Sequence, residues 1–108
     1  MLNLFVLDYA SNKKIPAIVK NATEQDLAAT KDWQTEWTTP YVRQLPNKVA
    51  LHRADNDELL GLMSYDLDEA GLVVEILYLE NARHSNANLL RVEGGQKKYI
   101  GIAKALFA

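Results

Sequence analysis

Apolar residues are grouped along the 108-residue chain in short blocks that predict strands separated by polar turns. Five blocks have the length and composition of strands: Leu2 to Tyr9, Ile15 to Val19, Val49 to Ala54, Leu59 to Asp66 and Leu72 to Leu79. The last block is almost continuously apolar, which is typical of a strand covered on both faces. Because only short turns separate the last three blocks, we expect them to form antiparallel neighbours.

Two helices are predicted between the second and third strands. Thr23 is placed to cap the first helix, with Asp26 at the position of a capping-box acid, and the helix is expected to run to about Trp37. Trp33 and Trp37 lie four residues apart and would share a helix face, so the simplest interpretation is that they anchor the helix on a sheet. The alternative is that one of them lines a substrate cleft. A short second helix is expected from Tyr41 to Leu45.

The end of the chain changes to helical spacing, with apolar side chains at Ile100, Ile102, Ala103, Leu106 and Phe107. Together these elements predict an α+β (α/β) fold with a mixed, mainly antiparallel sheet of about four strands. Two N-terminal helices and one C-terminal helix would accompany the sheet. The length fits one domain, residues 1–108.

Composition narrows the classes of function. The chain has no cysteine, which excludes disulfides and thiol catalysis and fits a reducing compartment, so a cytoplasmic location is predicted. The net charge is −2 and the basic residues are scattered, which disfavours nucleic-acid binding. No stretch reaches the ~20 apolar residues of a membrane-spanning helix, and no metal-binding motif is evident.

A candidate binding site lies where the last predicted strand, a loop and the C-terminal helix follow one another. The helix is predicted to begin at Gly101, shortly after the basic pair Lys97 and Lys98. Free N–H groups at a helix start favour an anion such as phosphate, and glycine lets the backbone approach it closely.

Around this junction the sequence resembles the GNAT superfamily of acyl-CoA N-acyltransferases. The run Lys98-Tyr99-Ile100-Gly101-Ile102-Ala103 fits the family signature with lysine in first place, and Leu77-Tyr78-Leu79 resembles the strand before it. The resemblance implies that acetyl-CoA is the cofactor. Its pyrophosphate would lie on the run from Lys98 to Ala103, and its pantetheine arm would pair with the main chain of Leu77 and Leu79.

The resemblance also implies transfer of an acetyl group to an amine, which requires a base. Glu75, on the predicted central strand, is the first candidate for that base, and Glu80 at the strand end is the second. An outward-facing or structurally paired Glu75 is the simpler alternative. His84 and His52 could also titrate near neutrality, although His84 lies in a polar segment and could simply be solvated.

The sequence ends before the strands and the helix that complete the family's fold. We therefore expect a homodimer, or a partner chain that completes the sheet, because the outer strand would have an open edge. Two functions follow as expectations. One is an N-acetyltransferase acting on a small-molecule amine or a protein amine. The other is a non-catalytic interaction module that dimerises through the sheet edge.

Overall fold

The computed structural model describes residues 4–68, 70, 74–86 and 96–107 of the chain. Within them the strands are β1 (Leu4–Asp8), β2 (Lys14–Asn21), β3 (Lys48–Arg53), β4 (Leu59–Leu67), β5 (Val74–Asn81) and β6 (Tyr99–Ile100). The first five overlap the five apolar blocks, so the presence of those strands is confirmed for the described residues. Leu2, Asn3, Leu72 and Val73, which the predictions included, lie outside them. The prediction that the last of them is covered on both faces is wrong, because β5 lies at the end of the sheet order and exposes Val74 and Tyr78.

All six strands belong to one antiparallel sheet in the order β5-β4-β3-β2-β1-β6. The first five strands follow one another as a meander, and β6 returns to pair with β1, with Leu7 opposite Ile100. Register shifts occur next to Leu51 and next to Ser64. Such irregularities bend and twist strands, and the sheet is curled into a half-barrel.

The helices are short: α1 (Glu24–Ala28), α2 (Pro40–Arg43) and α3 (Ile102–Phe107), with a 3₁₀ turn at Arg83–Ser85. The predicted capping box is confirmed, because Thr23 Oγ1 accepts the Asp26 N–H and Asp26 Oδ2 accepts the Thr23 N–H. Among the described residues, no helix is long and apolar enough to cross a membrane.

Apolar side chains fill both faces of the sheet. On one face α3 packs over the strands and forms the larger core, whose buried members are Val6, Ala17, Leu51, Leu60, Met63, Tyr99, Ile102, Ala105 and Leu106. On the other face α1, α2 and the segment between them cover the sheet, with Leu27, Trp37, Val42, Ala50 and Leu62 buried. The fold therefore depends on two apolar layers, one on each side of the sheet.

Gly61 allows α3 to lie directly on β4. A Cβ at this position would stand 2.7 Å from Ile102 Cγ2 and 3.1 Å from the Glu80 carbonyl oxygen. These distances are shorter than van der Waals contact, so a side chain at Gly61 would push α3 away from the sheet. Gly101 serves another purpose, because its φ of +92° is one that side chains disfavour.

The predicted fold class is wrong. The structure is a curled, antiparallel, six-stranded half-barrel with few short helices, and it is not an α+β fold with about four strands and two substantial N-terminal helices. The first predicted helix ends at Ala28 instead of about Trp37. Its continuation is broken where the Thr30 hydroxyl donates to the Leu27 carbonyl and accepts the Trp37 N–H. The sequence did not predict strand β6, because a strand of two residues is too short to show an alternation of apolar and polar positions.

Candidate functional site

The larger of two neighbouring cavities, about 470 Å³, opens between the segment after α1 and the end of β5. Its walls combine two carboxylates, an indole, an imidazole and a guanidinium with small apolar groups. The lining residues are Ala29, Asp32, Trp33, Glu58, Leu59, Ala82, Arg83 and His84. Acidic and aromatic groups that meet in one hollow are suited to an organic cation.

His84 is half-buried on the 3₁₀ turn that follows β5. Its Nδ1 lies 2.7 Å from Ser85 Oγ, and that oxygen also accepts the N–H of Tyr99. Its Nε2 is buried without a hydrogen-bond partner among the described residues, 3.7 Å from Glu58 Oε2. In the tautomer that carries the proton on Nδ1, Nε2 presents a lone pair beside Glu58, which is the form that a general base requires.

Burial lowers the pKa of His84 from its ordinary value of 6.5. The negative charges of Glu58 and Asp32 oppose that shift, and the positive charge of Lys98 adds to it. Burial therefore favours the uncharged form of the imidazole, which is the form that can accept a proton.

Glu58 is held in place by groups from β6 and the segment before it. Its Oε1 accepts the Tyr99 hydroxyl at 2.9 Å, and its two oxygens lie 3.2 and 3.3 Å from Lys98 Nζ. Arg53 in turn donates to the Tyr99 hydroxyl oxygen at 2.7 Å. These bonds fix the carboxylate against His84 and connect the turn between β3 and β4 to the end of the chain.

The structure connects Ser85, His84 and Glu58 in the order of a hydrolase triad, but Ser85 is no candidate nucleophile. Its side chain is fully buried and is already bonded to the Tyr99 amide and the His84 ring. Substrate would have no access to its oxygen, so Ser85 positions the imidazole.

A second cavity of about 330 Å³ adjoins the first. Its lining consists of Lys20, Thr23, Gln25, Asp26, Ala29, His52, Asp57 and Leu59. His52 is buried there, with Nε2 2.9 Å from Asp26 Oδ1 and Nδ1 2.8 Å from the Asp57 carbonyl oxygen. The two histidines of the chain thus lie one in each cavity.

The two glutamates predicted as catalytic bases occupy opposite ends of β5. Glu75 is exposed near the strand's start, opposite Asp66 in the ladder. Glu80 is buried near its end and accepts the N–H of Thr35 and the indole N–H of Trp37 at 3.1 to 3.2 Å. Neither lines either cavity. Their catalytic roles stay predictions, whereas the contacts of Glu80 give it a structural role.

The residues predicted to hold the cofactor fall on two strands at opposite ends of the sheet order. Leu77 and Leu79 lie half-buried in β5, while the others lie in or beside β6 and α3. The amide of Tyr99 is bonded to Ser85, and Lys98 Nζ is bonded to Glu58. The residues next to Gly101 differ in their exposure. Ile100 is exposed, Ile102 is buried in the core and Ala103 is half-buried.

Sequence reasoning missed Glu58 and Asp32 as site residues. Both sit in polar turns, where an isolated acid carries no pattern, and only the fold brings them to His84. The sequence predicted a cleft only through the alternative interpretation that Trp33 or Trp37 lines one. The structure divides the pair, because Trp37 is a fully buried anchor and Trp33 lines the larger cavity.

Comparison with protein-family models, curated proteins and solved structures finds no match to this chain. The resemblance of the sequence to acyl-CoA N-acyltransferases therefore stays a prediction.

The contacts of Glu80 predict a loss of stability when its side chain is removed. Glu80→Ala would leave the buried Trp37 indole N–H and the Thr35 N–H without partners, at a cost of about 2–4 kcal/mol in the free energy of unfolding. Glu75→Ala, on the same strand but exposed, is the matched control and should change it by less than about 0.5 kcal/mol. Urea unfolding of both variants measures the difference, and equal stabilities would contradict a structural role for Glu80.

The lowered pKa of His84 predicts a pH dependence of stability. As the pH falls below 6.5 the unfolded chain takes up a proton at His84 that the folded chain resists, so stability is lost on acidification. His84→Gln removes this contribution and keeps a partner for Ser85. Urea unfolding at pH 7 and pH 5 should therefore show a smaller loss for His84→Gln than for the wild type, and equal losses would refute the assignment.

Proposed function

We propose that the larger cavity binds a small primary amine and removes a proton from it, as the acceptor half of an N-acyl transfer. The single observation that carries this proposal is the placement of His84 Nε2, 3.7 Å from Glu58 Oε2, in a hollow that Asp32 and Trp33 also line. The acyl transfer itself is the reaction that the sequence resemblance implies.

Binding of the amine follows from the charges in the cavity. An amine is an ammonium ion at neutral pH, and the carboxylate of Asp32 is its natural partner, because Glu58 is already bonded to Lys98 and Tyr99. The indole of Trp33 can face the cation or pack against its carbon chain. Arg83, on the opposite wall beside His84, donates to the Asp32 carbonyl oxygen at 2.7 Å and so holds the two walls together.

Removal of the proton follows from the state of His84. An ammonium ion has no lone pair, so it must lose a proton before its nitrogen can attack a carbonyl carbon. The neutral His84 ring is the proposed acceptor of that proton by way of Glu58, whose carboxylate lies 3.7 Å from the buried Nε2. The free amine that remains in the cavity is a nucleophile.

Acetyl-CoA would supply the acyl group, but the predicted cofactor residues do not fit its pyrophosphate as a set. Gly101 has open space where a Cβ would stand, which suits a close approach. The Tyr99 amide and the Lys98 ammonium, however, are already bonded to Ser85 and Glu58. We therefore derive no step through acetyl-CoA, and the proposal concerns the amine.

The proposal is tested by an acetylation assay with acetyl-CoA and a panel of primary amines, together with calorimetric binding of the amines alone. His84→Gln and Glu58→Gln should each lower the rate by about 100-fold, since each removes part of the proton acceptor. Asp66→Asn, an exposed change on β4, is the control and should leave the rate unchanged. Full activity in His84→Gln would contradict the proposed base, and no binding of any amine would contradict the site.

A second candidate function is the interaction module expected from the open sheet edge. The specific observation is that β5 is an outer strand of eight residues that exposes Val74 and Tyr78. An apolar outer strand can pair with another copy.

This second function predicts a dimer that depends on β5. Val74→Lys should turn the dimer into a monomer, because a charged side chain on an outer strand opposes pairing. Ile18→Lys, exposed on the interior strand β2, is the control and should leave the dimer intact. Sedimentation equilibrium distinguishes the two forms, and a monomeric wild type would exclude this function.

A further inference from the structure

His52 joins two elements that lead into opposite walls of the larger cavity. Its side chain is buried on β3, only 5 % exposed, between α1 and the turn that links β3 to β4. Nε2 lies 2.9 Å from Asp26 Oδ1 in α1, and Nδ1 lies 2.8 Å from the Asp57 carbonyl oxygen in the turn. The ring therefore bridges the helix and the turn from inside the fold.

Both ring nitrogens of His52 face acceptors. The Asp57 carbonyl oxygen has no proton to donate, and Asp26 is an acceptor in its capping box, where Oδ2 takes the Thr23 N–H. A neutral imidazole has one N–H, so either tautomer would set a ring lone pair against an oxygen lone pair at 2.8 or 2.9 Å. The imidazolium, with both nitrogens protonated, donates in both directions and leaves no such repulsion.

The charged groups around His52 favour the protonated ring. Asp26 faces it from α1, and Asp57 faces it from the turn, with Oδ1 3.2 Å from Nδ1. The hydrogen bond from Lys20, on β2, lowers the pKa of Asp57, and the positive charge of His52 adds to that effect. From β4, the residue opposite His52 in the ladder is the uncharged Leu59. The ring thus lies between two carboxyl groups, and the nearby cation is already bonded to one of them.

From these contacts we infer that His52 is a positioning residue of the amine site and acts as an imidazolium that ties α1 to the turn before β4. Asp57 immediately precedes Glu58, whose carboxylate lies beside His84, and α1 leads into the segment that carries Asp32. A fixed separation of the helix and the turn therefore fixes these two cavity walls relative to each other. The inference rests on the proposed function for the use of the cavity, whereas the charge of the ring does not depend on it.

Ring ¹⁵N NMR at pH 7 tests the charge of His52, because protonated and unprotonated ring nitrogens resonate far apart. Both nitrogens of His52 should be protonated in the wild type. Asp26→Asn should leave Nε2 unprotonated, since the asparagine oxygen can still accept the Thr23 N–H while its NH₂ group donates to the ring. Glu24→Gln removes an exposed acid from the same helix and is the control, so it should keep both protons.

The positioning role is read from the His84 ring, which lies 3.7 Å from Glu58. His52→Gln has one amide nitrogen in place of two ring nitrogens, so it bonds one of the two acceptors. This variant should shift the His84 ring signals and weaken n-hexylamine binding about tenfold, whereas Glu24→Gln should change neither.

The outcomes separate this inference from the proposed function. An unprotonated nitrogen on His52 in the wild type overturns the inference, while the amine site beside His84 stands. His84 signals that stay fixed in His52→Gln refute the positioning role. If these signals do move but n-hexylamine fails to bind the wild type at millimolar concentration, the proposed function fails and the bridge between helix and turn stands.

Discussion

The carboxylate of Glu80 holds the segment after α1 on the sheet by accepting the Thr35 N–H and the Trp37 indole N–H. The segment has almost no regular structure of its own, so its position depends on such bonds and on the burial of Trp37. Asp32 and Trp33 lie within it and form one wall of the larger cavity. Hydrogen bonds between a buried carboxyl group on β5 and groups of this segment therefore hold one wall of the hollow beside His84 in place.

The opposite wall depends on a second set of bonds. Glu58 is held by Lys98 and Tyr99 from the end of the chain, and His84 by Ser85, whose hydroxyl oxygen also accepts the Tyr99 amide. Tyr99 itself is buried in the core under α3. Tyr99 shares this core with Ile102 and Leu106, the side chains of α3 that lie close to Gly61. The packing of one face of the sheet and the positions of Glu58 and His84 at its end are linked through this residue.

Local signals in the sequence predicted the strands and the start of α1, because the apolar blocks and the Thr23 capping box act over a few residues. The spacing of Trp33 and Trp37 led to a wrong prediction of a shared helix face. Residues four apart share a face only in a helix, and the bonds of Thr30 end the helical backbone before Trp33. Glu80 was placed on the correct strand, but its partners come from a segment distant in sequence. The pairing of Glu58 with His84 could not be predicted, because it arises from the curl of the sheet and the return of β6 to β1.

The central claim is that an amine lies beside His84, and the chain carries its own reporters for it. Its two histidines occupy one cavity each, so their ring signals in a ¹H–¹³C NMR spectrum distinguish the two cavities. Titration with n-hexylamine should shift the His84 ring signals in a saturable way and leave those of His52 nearly unchanged. Ring signals of His84 that stay fixed at millimolar amine would contradict the account.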